Sequence, residues 1–167
     1  MDGNNSKCVS QSCSSAVQLL KEDQLALAKL FLEFEQVDDF KKKEEIVGAI
    51  SAALSSYFSL EAEVVYPTLA NKAAFSQDLC AGAESHHQAK LVLDRLQRLT
   101  ADVDDAAYDK AVQDLRVVVE KHFSEECQTF FPALDKCTEK VEELDQKLKQ
   151  FKAEQKFEES QERAPTI

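Results

Sequence analysis

Residues 115–132, LRVVVEKHFSEECQTFFP, decide how this chain is read. Upstream and into this stretch, Tyr108, Val112, Leu115 and Val119 recur at helical spacing, which predicts a helix with one face in a core. The same line runs on into His122 and then Glu126. A carboxylate on a core face is costly unless a cation, a proton or a metal compensates it. The fold must therefore bring something to meet Glu126.

Three other segments repeat the pattern. Val17, Leu20, Leu27, Phe31 and Phe34 form a line that passes through Gln24. Val47, Ile50, Leu54 and Val64 form one that passes through Tyr57 and Glu61, and Leu79, Ala83, Ala89, Leu93 and Leu96 form one that passes through His86. Four apolar stripes, each interrupted by polar groups near its middle, predict an all-α fold. Packed antiparallel, the four helices bring those groups to one level inside a bundle, where helical proteins build cofactor sites.

Composition agrees. The 167 residues contain three Gly, three Pro and no Trp, which favours a single helical domain long enough to bury a core. A net charge of -11 argues against a nucleic-acid partner, because phosphate is repelled. No apolar run reaches the ~20 residues of a membrane span, and the polar first ten residues do not read as a signal peptide. Five cysteines, an odd number without framework spacing, fit a reducing compartment. The expectation is an acidic cytoplasmic protein with neither nucleic acid nor membrane as partner.

In chain order, residues 1–13 read as a tail carrying Cys8 and Cys13, and residues 14–135 as the bundle. Ser14 or Ser15 is expected to cap the first helix, which runs to about Val37, and Asp38 and Asp39 the second, over roughly 40–65. Lys41, Lys42 and Lys43 in its first turn read as a solvated face. Pro67 is expected to stop the second helix and Pro132 the fourth. The third helix is predicted over 74–99 with Gly82 as a weak point, and the fourth is capped by Thr100, Asp102 or Asp104. Cys80 and Cys127 read as buried inert thiols, Tyr66 as a core or hinge aromatic and His87 as a surface residue. Residues 136–161 contain an amphipathic helix, with Val141, Leu144, Leu148 and Phe151 on a narrow stripe suited to lying on the bundle or pairing with a protein partner. Residues 162–167 read as a frayed tail.

Two segments share their internal spacing: Tyr57-x-x-x-Glu61 and His122-x-x-x-Glu126. Residues four apart project from one face a turn apart, so each pair can aim two donors at one point. Each pair is followed by an aromatic residue and proline, Tyr66-Pro67 and Phe131-Pro132. With LLKEDQ, YFSLEAEVVYP, AESHHQAKLVLDRL and VVVEKHFSEECQTFFP in this order, the chain resembles the haemerythrin-like (HHE cation-binding) family over about 17–135.

The resemblance implies an up-down-up-down four-helix bundle with an additional C-terminal helix and a non-haem di-iron centre held by histidines and two bridging carboxylates. Glu61 and Glu126 match the carboxylates; His86 and His122 match histidines of the third and fourth helices. Two positions depart from the family pattern, for Gln24 and Tyr57 stand where it has histidine. Those two histidines serve mainly one iron in the family, so the resemblance implies one surviving metal subsite in place of two, a two-histidine, two-carboxylate site of His86, His122, Glu61 and Glu126. Imidazole with carboxylate suits iron, manganese or zinc. A substituted two-metal site, with Tyr57 as phenolate and Gln24 as a weak oxygen ligand, is the variant of this reading. The metal-free alternative pairs His86 and His122 with Glu61 and Glu126, completed by Tyr57 and Gln24, and makes the chain a non-enzymatic interaction scaffold. With metal bound, the implied roles are oxygen or peroxide handling, redox sensing or iron storage, with a small oxidant such as O2 or peroxide as partner. A proton switch built on the histidines ranks behind both readings.

Overall fold

The structure, a computed structural model, describes residues 13–162; the expected tail residues 1–12, with Cys8, and 163–167 lie outside the described residues. Helices α1 (Ser15–Glu35) and α2 (Phe40–Leu60) pair through a short turn. Helices α4 (Ser76–Leu96) and α5 (Asp105–Glu125) form the second hairpin, and the two hairpins close a four-helix bundle. A further helix, α7 (Thr138–Glu162), lies along α1 and the C-terminal end of the second bundle helix. Among the described residues, no helix is long and apolar enough to cross a membrane.

Local signals start the first two helices. Ser14 Oγ accepts from the Val17 amide at 3.3 Å and Asp39 Oδ1 from the Lys42 amide at 2.8 Å, each cap contributing about 1 kcal/mol. Asp104 takes the N-cap position of α5, although its side chain makes no capping bond. The α1, α2 and α5 stripes are buried along their whole length, polar members included. In α4 the buried line is Gly82, Ala89 and Leu96, a seven-residue step. Ala83, expected on that line, is exposed and Leu79 and Leu93 are half-buried, while Gly82 is the buried position, close against Tyr66.

The expected proline stops are not stops. After α2 the chain makes a π turn over Glu61–Val65 and continues as α3 (Tyr66–Leu69). After α5 it makes a second π turn, Glu126–Phe130, and continues as α6 (Phe131–Lys136). A proline lacks the amide for an i→i−4 bond, and its ring crowds the carbonyl four residues back. Here the helix widens just ahead of the ring: Tyr66 N–H donates to Glu61 O, and Phe131 N–H to Glu126 O, each five residues back. Both wide turns begin at the carboxylates singled out by their stripes, as π turns inside helices often do at functional sites.

Lys43 also departs from expectation. Lys41 and Lys42 are exposed, but Lys43 is buried and donates to Asp105 and Asp109 of α5, both at 2.8 Å. It ties the two hairpins together near the ends of α2 and α5. On α7, Leu144 and Leu148 are fully buried, so its apolar stripe faces its own bundle. Lys152 to Asp23 at 2.6 Å and Ser56 to Gln155 at 2.8 Å fix its register there.

Candidate metal centre

Each bundle helix delivers one or two polar groups to the same level. Glu61 and Tyr57 come from the end of α2, His86 from α4, His122 and Glu126 from the end of α5, and Gln24 from α1. Glu61, His122, Glu126, Tyr57 and Gln24 are all buried, and His86 is partly exposed. The six groups divide into two sets.

In the first set, His86 Nε2 lies 2.7 Å and His122 Nε2 3.1 Å from the same oxygen, Glu61 Oε2. One ligand atom from each of Glu61, His86 and His122 falls within 4.8 Å of the others, a grouping able to hold a metal ion. The ring of His86 is fixed between two aromatics, with Phe58 stacked at 4.0 Å and Tyr66 at 5.5 Å. The Tyr66 hydroxyl lies 3.3 Å from His86 Nε2.

In the second set, Gln24 Nε2 donates to Glu126 Oε2 at 2.7 Å and to the Tyr57 hydroxyl at 3.0 Å, and that hydroxyl donates to Glu126 Oε2 at 2.9 Å. Phe123 meets the Tyr57 ring edge-on at 5.2 Å. His122 Nε2 stands 3.8 Å from Glu126 Oε2, so it addresses Glu61 more closely than the acid one turn along its own helix.

The two acids are in opposite electrostatic states. Burial pushes Glu61 up, but hydrogen bonds from Glu126, His122 and His86 outweigh it and bring its pKa down to about 2. Burial, followed by the charge of Glu61 next to it, raises Glu126 well above the ordinary carboxylate range. Of the pair, Glu61 is the acid that favours its charge and Glu126 the one that resists losing its proton. Glu61 Oε1 is buried and has no hydrogen-bond partner among the described residues. Burial first, and then the charge of Glu61, push both Tyr57 and Tyr66 up, which keeps the two phenols neutral.

Sequence reasoning missed Tyr66 and Gly82. A Cβ on Gly82 would overlap the Tyr66 hydroxyl and sit 2.9 Å from its Cζ, so only glycine lets this ring reach His86. The π turn gave no signal in helical periodicity; the spacing from Glu61 to Tyr66-Pro67, repeated from Glu126 to Phe131-Pro132, was the available one. Cys80 and Cys127, expected to be buried, are exposed, although the Cys127 thiol reaches Gln24 Oε1 at 3.6 Å. His87 is exposed as expected.

Two spaces adjoin the centre. A cavity of about 30 Å³, room for one water, is lined by Tyr66, Gly82, His122 and Glu126 among others. A groove of about 490 Å³ lined by Phe58, Ser59, His86, His87 and Lys90 opens His86 to solvent.

The Hemerythrin HHE cation binding domain matches residues 15–134, most of the chain and every residue of the centre. The chain belongs to this family. HHE domains are named for binding cations, and the Glu61–His86–His122 group has the donor chemistry of a candidate cation site: one buried carboxylate faces two imidazoles. No curated protein and no solved structure matches the chain.

Proposed function

We propose that this HHE domain binds a single divalent transition-metal ion through Glu61, His86 and His122, with non-haem iron as the resident metal and manganese or zinc as competitors. The observation that carries this reading is the division of the centre. One half offers three ligand atoms around an anion, while Gln24 and Tyr57 fill the other half and spend their hydrogen bonds on Glu126. The buried, unpartnered Glu61 Oε1 marks a carboxylate with capacity left for a cation.

A redox metal held there supplies one-electron exchange with a small oxidant such as O2 or peroxide. The residues do the rest. Phe58 and Tyr66 hold the His86 ring in plane, and Glu61 keeps the pocket anionic. The groove beside His86 admits small polar molecules, and the surrounding core excludes bulk water. One subsite does not support reversible oxygen carriage, which needs two irons to share the electrons; redox sensing or iron handling in the cytoplasm is the role that fits.

The test is ligand-linked stability. Fe(II), Mn(II) or Zn(II) added to metal-free protein raises the melting temperature of wild type, because an ion that binds only the folded state stabilises it. The double variant His86→Ala, His122→Ala shows no such rise. Equal shifts in both proteins would defeat the assignment.

A second reading, a metal-free bundle acting as an interaction scaffold, is favoured by one observation: both histidines already meet Glu61, and Gln24 and Tyr57 already meet Glu126. Added metal separates the two: a wild-type melting temperature unmoved by Fe(II), Mn(II) or Zn(II) is the outcome of a metal-free network, and a rise that His86→Ala, His122→Ala removes is that of a metal site.

A further inference from the structure

We propose that Tyr66 is a fourth ligand of that ion, an oxygen donor alongside Glu61, His86 and His122. This deepens the single-ion reading and rests on it. The hydroxyl of Tyr66 lies 3.3 Å from His86 Nε2, the nitrogen that also faces Glu61 Oε2 at 2.7 Å. Donors on neighbouring corners of one ion, each about 2.0–2.2 Å from it, stand about 2.8–3.6 Å apart. The spacings from His122 to Glu61 and from Tyr66 to His86, at 3.1 and 3.3 Å, fall in this range, and that from His86 to Glu61, at 2.7 Å, lies just below it. Once Nε2 of His86 is given to a metal, it no longer serves the Tyr66 hydroxyl. That oxygen, beside a cavity with room for one water, is then free to coordinate.

The backbone is shaped to put it there. Tyr66 is five residues after Glu61, an offset of about 140° on a regular helix. The π turn, in which Tyr66 N–H bonds to Glu61 O, fits those five residues into one turn and swings the ring toward the face of Glu61. Gly82 leaves the opening that the ring fills, and Tyr66 lines the water-sized cavity with His122 and Glu126. The matching position in the other half is Phe131, which has no oxygen to give. The asymmetry follows that of the centre: a phenol stands beside the three-donor half, and none stands beside the half already filled by Gln24 and Tyr57. Tyr57 is already committed to Gln24 and Glu126.

On a ferric ion the step is a ligand exchange: the phenol O–H breaks, an iron–oxygen bond forms, the proton leaves to solvent, and the iron stays ferric. Phenolate bound to Fe(III) absorbs in the visible and carries tyrosine ring modes in its resonance Raman spectrum, whereas a hydrogen-bonded phenol does neither. The experiment loads the full chain anaerobically with Fe(II) and then removes one electron with ferricyanide. Wild type is expected to show the band. Tyr66→Phe is expected to lose it while still taking one iron at saturation, with about tenfold weaker affinity. Gly82→Ala, which keeps the hydroxyl but displaces the ring, is expected to lose or shift the band, with circular dichroism confirming the fold. Tyr57→Phe retains it. A band that survives Tyr66→Phe or vanishes in Tyr57→Phe overturns the proposal, as does a wild type with one ferric ion and no band. A wild type that takes up no iron defeats the single-ion reading and this ligand together, so the two failures are distinguishable by metal content.

Discussion

Gln24 donates to Glu126 Oε2 at 2.7 Å across the bundle, from a helix 102 residues earlier in the chain. Where the family resemblance expects a histidine that would compete for a metal, this amide instead meets a buried carboxyl. On the proposed single-ion reading, the bond makes a structural contact of one half of the centre.

Restoring histidine at both departing positions should reopen the filled half. Gln24→His with Tyr57→His is expected to raise the metal content from one to two ions per chain, read by mass spectrometry after loading with Fe(II). A double variant that still holds one ion would show that more than these two side chains closed the second subsite.

Glu61 is the only acceptor that both histidines address, so its removal leaves two buried imidazoles facing each other without an anion. Breaking a buried polar cluster at one partner costs about 3–5 kcal/mol. Glu61→Ala is expected to lose stability of this order in urea unfolding of the metal-free protein, and to abolish the metal-dependent thermal shift. An unchanged midpoint would mean that the cluster contributes nothing without metal.

Leu144 and Leu148 measure how firmly α7 is docked. Both side chains are fully buried, and a buried leucine cut to alanine costs about 2–5 kcal/mol. Each single variant is expected to lower stability by that amount in chemical denaturation. A loss below about 1 kcal/mol would return α7 to the alternative its amphipathic stripe also allowed, pairing with a partner chain.

Lys43 gives a pH dependence of known sign. Burial lowers its pKa, but the hydrogen bonds to Asp105 and Asp109 outweigh this and raise it above its ordinary 10.5. A cation held more tightly in the folded state stabilises fully below its unfolded pKa, and that contribution is lost as pH climbs through the raised value. Lys43→Met is expected to cost about 1.5–3 kcal/mol at neutral pH. The gap between wild type and variant in thermal unfolding should narrow above pH 10.5. A gap that widens with pH would contradict the assignment.

The bundle was legible because its stripes obey one period: every position on the α1, α2 and α5 lines is buried, Gln24, Tyr57, Glu61, His122 and Glu126 included. Side chains that break that period did not declare themselves. Tyr66 reaches the centre only through a π turn, where residue counting at 3.6 per turn points it elsewhere. Gly82 looked like a flaw in a helix because its purpose is the volume it leaves to Tyr66. Lys43 was hidden in a run of three lysines, since only the tertiary approach of Asp105 and Asp109 makes its burial possible. Pro67 and Pro132 were read as ends because the usual response to proline is a stop, and a wide turn ahead of the ring is the rarer one.

The most direct test of the central claim is the metal content of the full chain after anaerobic loading with Fe(II) and removal of unbound ion, measured by inductively coupled plasma mass spectrometry. One ion per chain is expected in wild type and none in His86→Ala, His122→Ala. Two ions in wild type, none at all, or one ion undiminished in the double variant would contradict it.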